Sequence, residues 1–236
     1  MKLKKENDKK PILKTNIIIV LIVMGIIFGI LAIMGIFKDF SARDYVAATL
    51  NHMFYGTDAE RNEVLEGTSE EELLLKYEEG ISNFAKSLIR SDIEIDAKLQ
   101  AEYETVCKKI YKSMQFTVKD EEIASDEKYE VTVAYKPVDV ISKYRNMLWD
   151  ELSKMNEKVE RGEYQGDDAE IAIQMENELL QKASHLLDEA YNAMEYGKEQ
   201  TMVFKVIKDE NDIYRMDEEE IYRFLEKILR LDEIQD

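Results

Sequence analysis

The chain has 236 residues, of which 50 are Asp or Glu and 32 are Lys or Arg, for a formal net charge of −18. That acidity excludes nucleic acid as a partner, because such binding rests on neutralising phosphates with Lys and Arg. The single cysteine, Cys107, excludes an intramolecular disulfide, so stability must come from packing alone.

Residues 1–16 form a basic head, with six Lys against Glu6 and Asp8. Its net of +4 leaves −22 on the remainder of a chain whose total is −18. Residues 17–37 follow without a charged or strongly polar side chain. About 21 residues at about 1.5 Å each give about 31 Å of helix, the thickness of a bilayer's hydrocarbon core. Ile, Leu, Val and Phe fill roughly 15 of these positions and together favour insertion by roughly 5–9 kcal/mol. A transmembrane helix is therefore expected over 17–37. Six Lys precede it and only Lys38 and Arg43 follow closely, which predicts a cytoplasmic N-terminus and an extracytoplasmic domain over 38–236. Phe40-Ser41-Ala42 is a poor signal-peptidase site because a large residue stands first, so the span is read as an uncleaved anchor. Gly25 and Gly29, four residues apart, are the candidate site for dimerisation of the span. The competing expectation is a helix that faces lipid.

After the span, Ser41 reads as an N-cap with Asp44 completing a capping box and Phe40 stapled onto Tyr45. Val46, Leu50, Met53 and Phe54 then share one side until Gly56. A second helix starts at Ser69, with Leu73, Tyr77, Ile81, Phe84 and Leu88 as its apolar stripe. A third carries Leu99, Tyr103, Val106, Ile110 and Met114. The period then changes to two. Phe116 and Val118, a polar turn around Ser125 and Asp126, and Tyr129, Val131, Val133 and Tyr135 predict an antiparallel hairpin that Pro137 stops. Asp139 is expected to cap a long helix carrying Ile141, Leu148, Leu152, Met155 and Val159 and ending near Gly162. A short loop to Asp167 leads to a second long helix striped by Ala172, Met175, Leu179, Ala183, Leu186 and Ala190, which predicts an αα-hairpin. Residues 201–208 read as a central strand, apolar on nearly both faces. A turn at 209–212 returns it to 213–216, and Asp217 caps a final helix, with Glu220 completing the box and Ile221, Phe224, Leu225 and Ile228 facing inward. The fold class expected is α+β, an antiparallel sheet of two hairpins packed by helices, with the αα-hairpin inserted between them.

No residue pattern proposes chemistry. His52 and His185 stand alone on their helices, without a zinc spacing, and a partly buried structural role is expected for His185 beside Leu186. Cys107 falls on an apolar helix side and reads as a packed thiol. The carboxylates of 70–72, 167–168, 209–210 and 217–220 lie at helix starts or turns, where caps explain them. Tyr129 and Tyr135 share a sheet face and are candidates to line a pocket. No catalytic residue, metal ligand or cofactor is assigned.

Residues 41–50 (Ser-Ala-Arg-Asp-Tyr-Val-Ala-Ala-Thr-Leu), Tyr55-Gly56, Thr68-Ser69 with Glu70 to Glu72, and the terminal strand with Lys208 to Tyr214 before Asp217 carry a resemblance. In these features the chain resembles uncharacterised extracytoplasmic domains of bacterial lipoproteins and membrane-anchored proteins related to the cystatin-like, nuclear-transport-factor-two-like cone. The resemblance implies a fold and an envelope location and brings no catalytic residues. The lipoprotein Cys is replaced here by the apolar run, and the long helix pair exceeds the compact cone. The expected function is a membrane-anchored binding or interaction module, with the lipid bilayer as one partner and an envelope protein or ligand as the other. An enzyme whose pocket forms only in three dimensions, and a structural homodimer or oligomer, are the alternatives.

Overall fold

The computed structural model describes residues 33–34, 40–56, 69–89, 95–125, 128–210 and 213–233. Four antiparallel strands, β2 (Gln115–Ser125), β3 (Lys128–Lys136), β4 (Gln200–Lys208) and β5 (Ile213–Met216), form the sheet. A two-residue β1 (Ile33–Met34) lies beyond β5, so the order is β1-β5-β4-β3-β2. The helices are α1 (Ala42–Tyr55), α2 (Glu70–Leu88), α3 (Ala97–Lys112), α4 (Val140–Glu160), α5 (Asp168–Asn192) and α6 (Glu218–Ile228). The α+β class and the helix, hairpin, helix-pair, hairpin, helix order agree with the sequence expectation.

Among the described residues no helix is long and apolar enough to cross a membrane. Of the run 17–37, only Ile33 and Met34 are described; the rest, including Gly25 and Gly29, lies outside the described residues. These two do not continue a helix. They pair antiparallel with Tyr214 and Ile213, where the outer edge of β5 offers backbone groups that would otherwise lack a strand partner.

Local chemistry explains most boundaries. The Ser41 side chain accepts from Asp44 N at 3.1 Å, and Gly56, at φ 76°, ends α1. A Cβ at Gly56 would lie at ordinary contact distance, 3.4 Å, from the Tyr77 ring, so the positive φ is what favours glycine there. Ser69 with Glu72 and Asp167 with Glu170 make full capping boxes. Three expected caps are used differently. At α1 it is Glu121, not Asp44, that completes the helix start: its Oε2 accepts from Arg43 N at 2.6 Å and from the Ser41 hydroxyl at 3.3 Å. Asp139 stands at the start of α4, but its carboxylate accepts from Glu195 N at 2.8 Å. Glu220 is buried and accepts from Lys205 N at 2.5 Å and Lys205 Nζ at 2.8 Å. β5 has ended by then, so Glu220, with Asp217 N donating to Lys205 O at 3.3 Å, takes over the β4 edge that a strand would have paired.

The core lies between one sheet face and the helices. Phe224 of α6 is its hub, with ring centroids 5.2 Å from Tyr135, 5.3 Å from Phe204, 6.1 Å from Phe54 and 6.5 Å from Phe116. Leu50, Ile81, Ile110, Val131, Val133 and Val206 are fully buried around it. The α4–α5 insertion leaves through a closed neck: Gly197 N donates to Pro137 O at 2.7 Å, and Val138 bridges Tyr196. Its body-proximal half packs through Tyr144, Leu148, Ala183, Leu187 and Ala190, and the Tyr144 and Tyr103 hydroxyls meet at 3.1 Å. The stripe expected on α5 is corrected here, because Ala172 is exposed and Leu187, not Leu186, is the fully buried position. The outer half is joined by ionic contacts. Glu151 meets Lys182, which is 2.9 Å from Glu178, and Glu178 also accepts from Lys158 at 2.6 Å and Tyr164 at 2.7 Å. These donors hold the Glu178 carboxyl down at about 2.

Candidate interaction surface

β4 is central, as its apolar content predicts, but it is covered on one face only. Phe204 and Val206 point into the core, whereas Val203 and Ile207 on the opposite face are each 44% exposed. The register sets Thr132 beside Val203, Ala134 beside Thr117 and Thr201, and Lys128 beside Ile207. The helices all pack on the Val131, Val133 and Phe204 side. The outer face therefore presents Val203 among Thr132, Thr201, Ala134 and Thr117, and then the Glu130–Lys205 pair, which separates this patch from Ile207 and Lys128. Glu130 stands opposite Lys205 and is 3.1 Å from Lys128. A small apolar patch of this kind, rimmed by an ion pair, can bind by apolar burial.

A second surface lies at one end of the sheet. Ser125 pairs with Lys128, Lys128 with Ile207, and Lys208 with Tyr214, so these strand ends lie together, opposite the end that carries Gln115, Lys136 and Gln200. The chain also enters at this end. Phe40 stacks on Tyr214 at 3.8 Å and 7°, meets Tyr129 edge-on at 5.6 Å and lies 6.1 Å from Tyr45. Glu121 fixes the following turn through Ser41 and Arg43. Ile123, two residues beyond Glu121, faces the helix side, but past the start of α1 no described residue covers it, and it is 73% exposed.

The residues weighed for chemistry separate. His52 is buried on α1, its Nδ1 has no hydrogen-bond partner, and burial, aided by the Lys76 charge, lowers its pKa to about 4. His185, expected to be partly buried, is instead 75% exposed and sits 3.2 Å from Glu189, because the helix turns it away from the Leu187 side. Cys107 is fully buried, and burial pushes its thiol well above the usual range, the opposite of an activated nucleophile. Tyr129 belongs to the Phe40 cluster, while the Tyr135 ring packs on Phe224 and its hydroxyl donates to Gln200 at 2.9 Å. The two tyrosines share a face, as expected, but each is occupied by neighbouring rings. Among the described residues, no group of three or more His, Cys, Asp or Glu is placed to hold a metal ion.

Sequence reasoning missed Glu121 and Glu220 as joints between distant elements. For Glu121 a signal exists. The alternation of β2 fails after Val118, at Lys119-Asp120-Glu121-Glu122, and the structure places a bulge there. For Glu220 the box spacing pointed to the wrong partner.

No protein-family model matches the chain. No curated protein matches it either. Among solved structures, its fold is similar to that of a "putative lipoprotein (YcdA)" from Bacillus subtilis subsp. subtilis str. 168, with a TM-score of 0.50 and 18% identity. The alignment covers 80% of this chain and 56% of that one, so the chain spans about half the length of that protein. At this identity the likeness is one of fold.

Proposed function

We propose that the chain is a membrane-anchored, extracytoplasmic interaction module of the cell envelope, held by a span within residues 17–37 and binding a partner through the open face of its sheet. The observation that carries the reading is the exposure of Val203 and Ile207, either side of the Glu130–Lys205 pair, on a sheet whose other face is packed by helices. The apolar run and its basic head support the anchor, and the fold likeness to a protein described as a lipoprotein fits an envelope setting. A helix-backed antiparallel sheet is also the layout of the cystatin-like cone, a relation we include in the proposal.

A photo-crosslinking side chain at Val203 of the full chain, in its native membrane, is expected to yield a discrete protein or glycan adduct. The same group at His185 on the exposed arm is expected to yield none. Val203→Glu is expected to weaken capture at least about tenfold, a loss of about 1.4 kcal/mol or more, with the melting temperature unchanged. Equal labelling at the two positions would remove the sheet face from the proposal. Turnover of a peptide, glycan or lipid by the purified chain would favour the enzyme alternative.

A further inference from the structure

Resting on the sheet-face reading above, we infer that the ion pair of Lys119 and Glu199 is a releasable strap across the open face of the sheet. It covers Ala134 and holds back a partner that would lie there.

Ala134 belongs to the open face by its place in β3. Side chains alternate along a strand, and Val133 and Tyr135 on either side of it are buried in the core. Its register neighbours are Thr117 on β2 and Thr201 on β4, both exposed. Ala134 is nevertheless only 2% exposed, whereas Val203, one row along the same face, is open. The helices do not account for that burial, because they pack on the other face.

The ion pair does. Lys119 follows Val118, which pairs with Val133, and so shares the side of Thr117. Glu199 precedes Gln200, which pairs with Tyr135, and so shares the side of Thr201. The two residues therefore stand on either side of β3, about 10 Å apart across two strand spacings. Their side chains meet at 3.2 Å. The core fills the inner face, so they meet over the outer one. A line between them crosses β3 between Thr132 and Lys136, at Ala134. Ala is the smallest side chain on that face, and its size leaves room for the crossing.

A strap of this composition opens readily. Both side chains are largely in water, at 41% and 55% exposure, and exposed pairs contribute little to stability and are screened by salt. With the pair parted, Ala134 and its threonine neighbours join Val203 in one open surface.

The test uses the full chain in its native membrane with Ala134→Cys, whose thiol lies under the strap. Cys107 is fully buried and stays unlabelled in the native protein. Rates of maleimide labelling are taken relative to Thr201→Cys, exposed beside the strap, which corrects for changes in local charge. Glu199→Ala is expected to raise the relative rate at 134 about threefold, and exchanging the charges, Lys119→Glu with Glu199→Lys, to restore the slow rate. Raising salt from about 0.05 M to about 1 M is expected to speed labelling while the pair is intact and to leave the Glu199→Ala chain unchanged, a response that a purely steric cover lacks. With the crosslinking side chain at Val203, Glu199→Ala is expected to raise the adduct yield about threefold, and the charge exchange to cancel the rise. Equal labelling rates with and without the pair would overturn the strap, even where Val203 still captures a partner. Responsive labelling with an unchanged adduct yield would overturn its hold on binding. Absence of an adduct from every chain would overturn the sheet-face reading, and the strap as its gate.

Discussion

Phe224→Ala is expected to lower the unfolding free energy by about 4 kcal/mol, within the range of about 3–5 kcal/mol for removing a fully buried Phe. Phe224 is fully buried and touches rings from α1, β2, β3 and β4, namely Phe54, Phe116, Tyr135 and Phe204. Removing it opens a cavity that no single element can close, because the surrounding rings are anchored in four different places. Urea unfolding followed by circular dichroism measures the loss as a lower midpoint at unchanged slope. Trp149→Ala, at an exposed position on α4, is the matched control and is expected to cost less than about 1 kcal/mol. A double replacement of Phe54 and Phe224 should fall short of the sum of the single losses, since the two rings border one cavity. Similar midpoints for the Phe224 variant and the Trp149 control would contradict the placement of the core.

Acidification is expected to destabilise the domain through His52. Its native pKa is lowered to about 4, by burial first and by the Lys76 charge second, while the unfolded chain keeps the ordinary value of 6.5. Below pH 6.5 the unfolded chain takes up a proton that the native protein refuses, so stability falls as pH falls. The fall ends near pH 4, where the native imidazole also protonates, and over that window it amounts to about 3 kcal/mol. Above pH 6.5 the group is neutral in both states and contributes no slope. His52→Leu should flatten this part of the profile. It is expected to cost little at pH 7, because Nδ1 has no partner to lose. Stability measured by urea at intervals between pH 7 and pH 4, for the native chain and the variant, isolates the difference from carboxylates common to both. Parallel profiles would show that His52 does not titrate as its surroundings dictate.

Local signals made much of this fold readable. Ser41, Ser69, Asp167 and Asp217 all accept at helix starts, and the alternating Phe116 and Val118 pair with Tyr135 and Val133 as a hairpin, up to the bulge that follows Val118. These features depend on side chains a few residues apart, and sequence reports such distances directly. What escaped depends on partners far along the chain. Glu220 satisfies the box spacing with Asp217, yet its carboxylate bonds the backbone of Lys205 because the short β5 leaves that edge open. Glu121 caps a helix 78 residues away. The apolar content of β4 suggested two covered faces, because Val203 and Ile207 look like core residues until the helices are seen on one side only. The same holds for the surface proposed to function. Val203 stands out by its exposure, a property of the assembled sheet, whereas the anchor stands out in the sequence by its length without charge.

In the proposed function the run within 17–37 holds this domain outside the membrane. External protease added to intact cells, followed by alkaline washing of the membranes, tests it most directly. The domain is expected to be digested from outside, and the undigested chain to resist the wash. A chain released by alkali, or fully protected in intact cells yet cut after lysis, would contradict it.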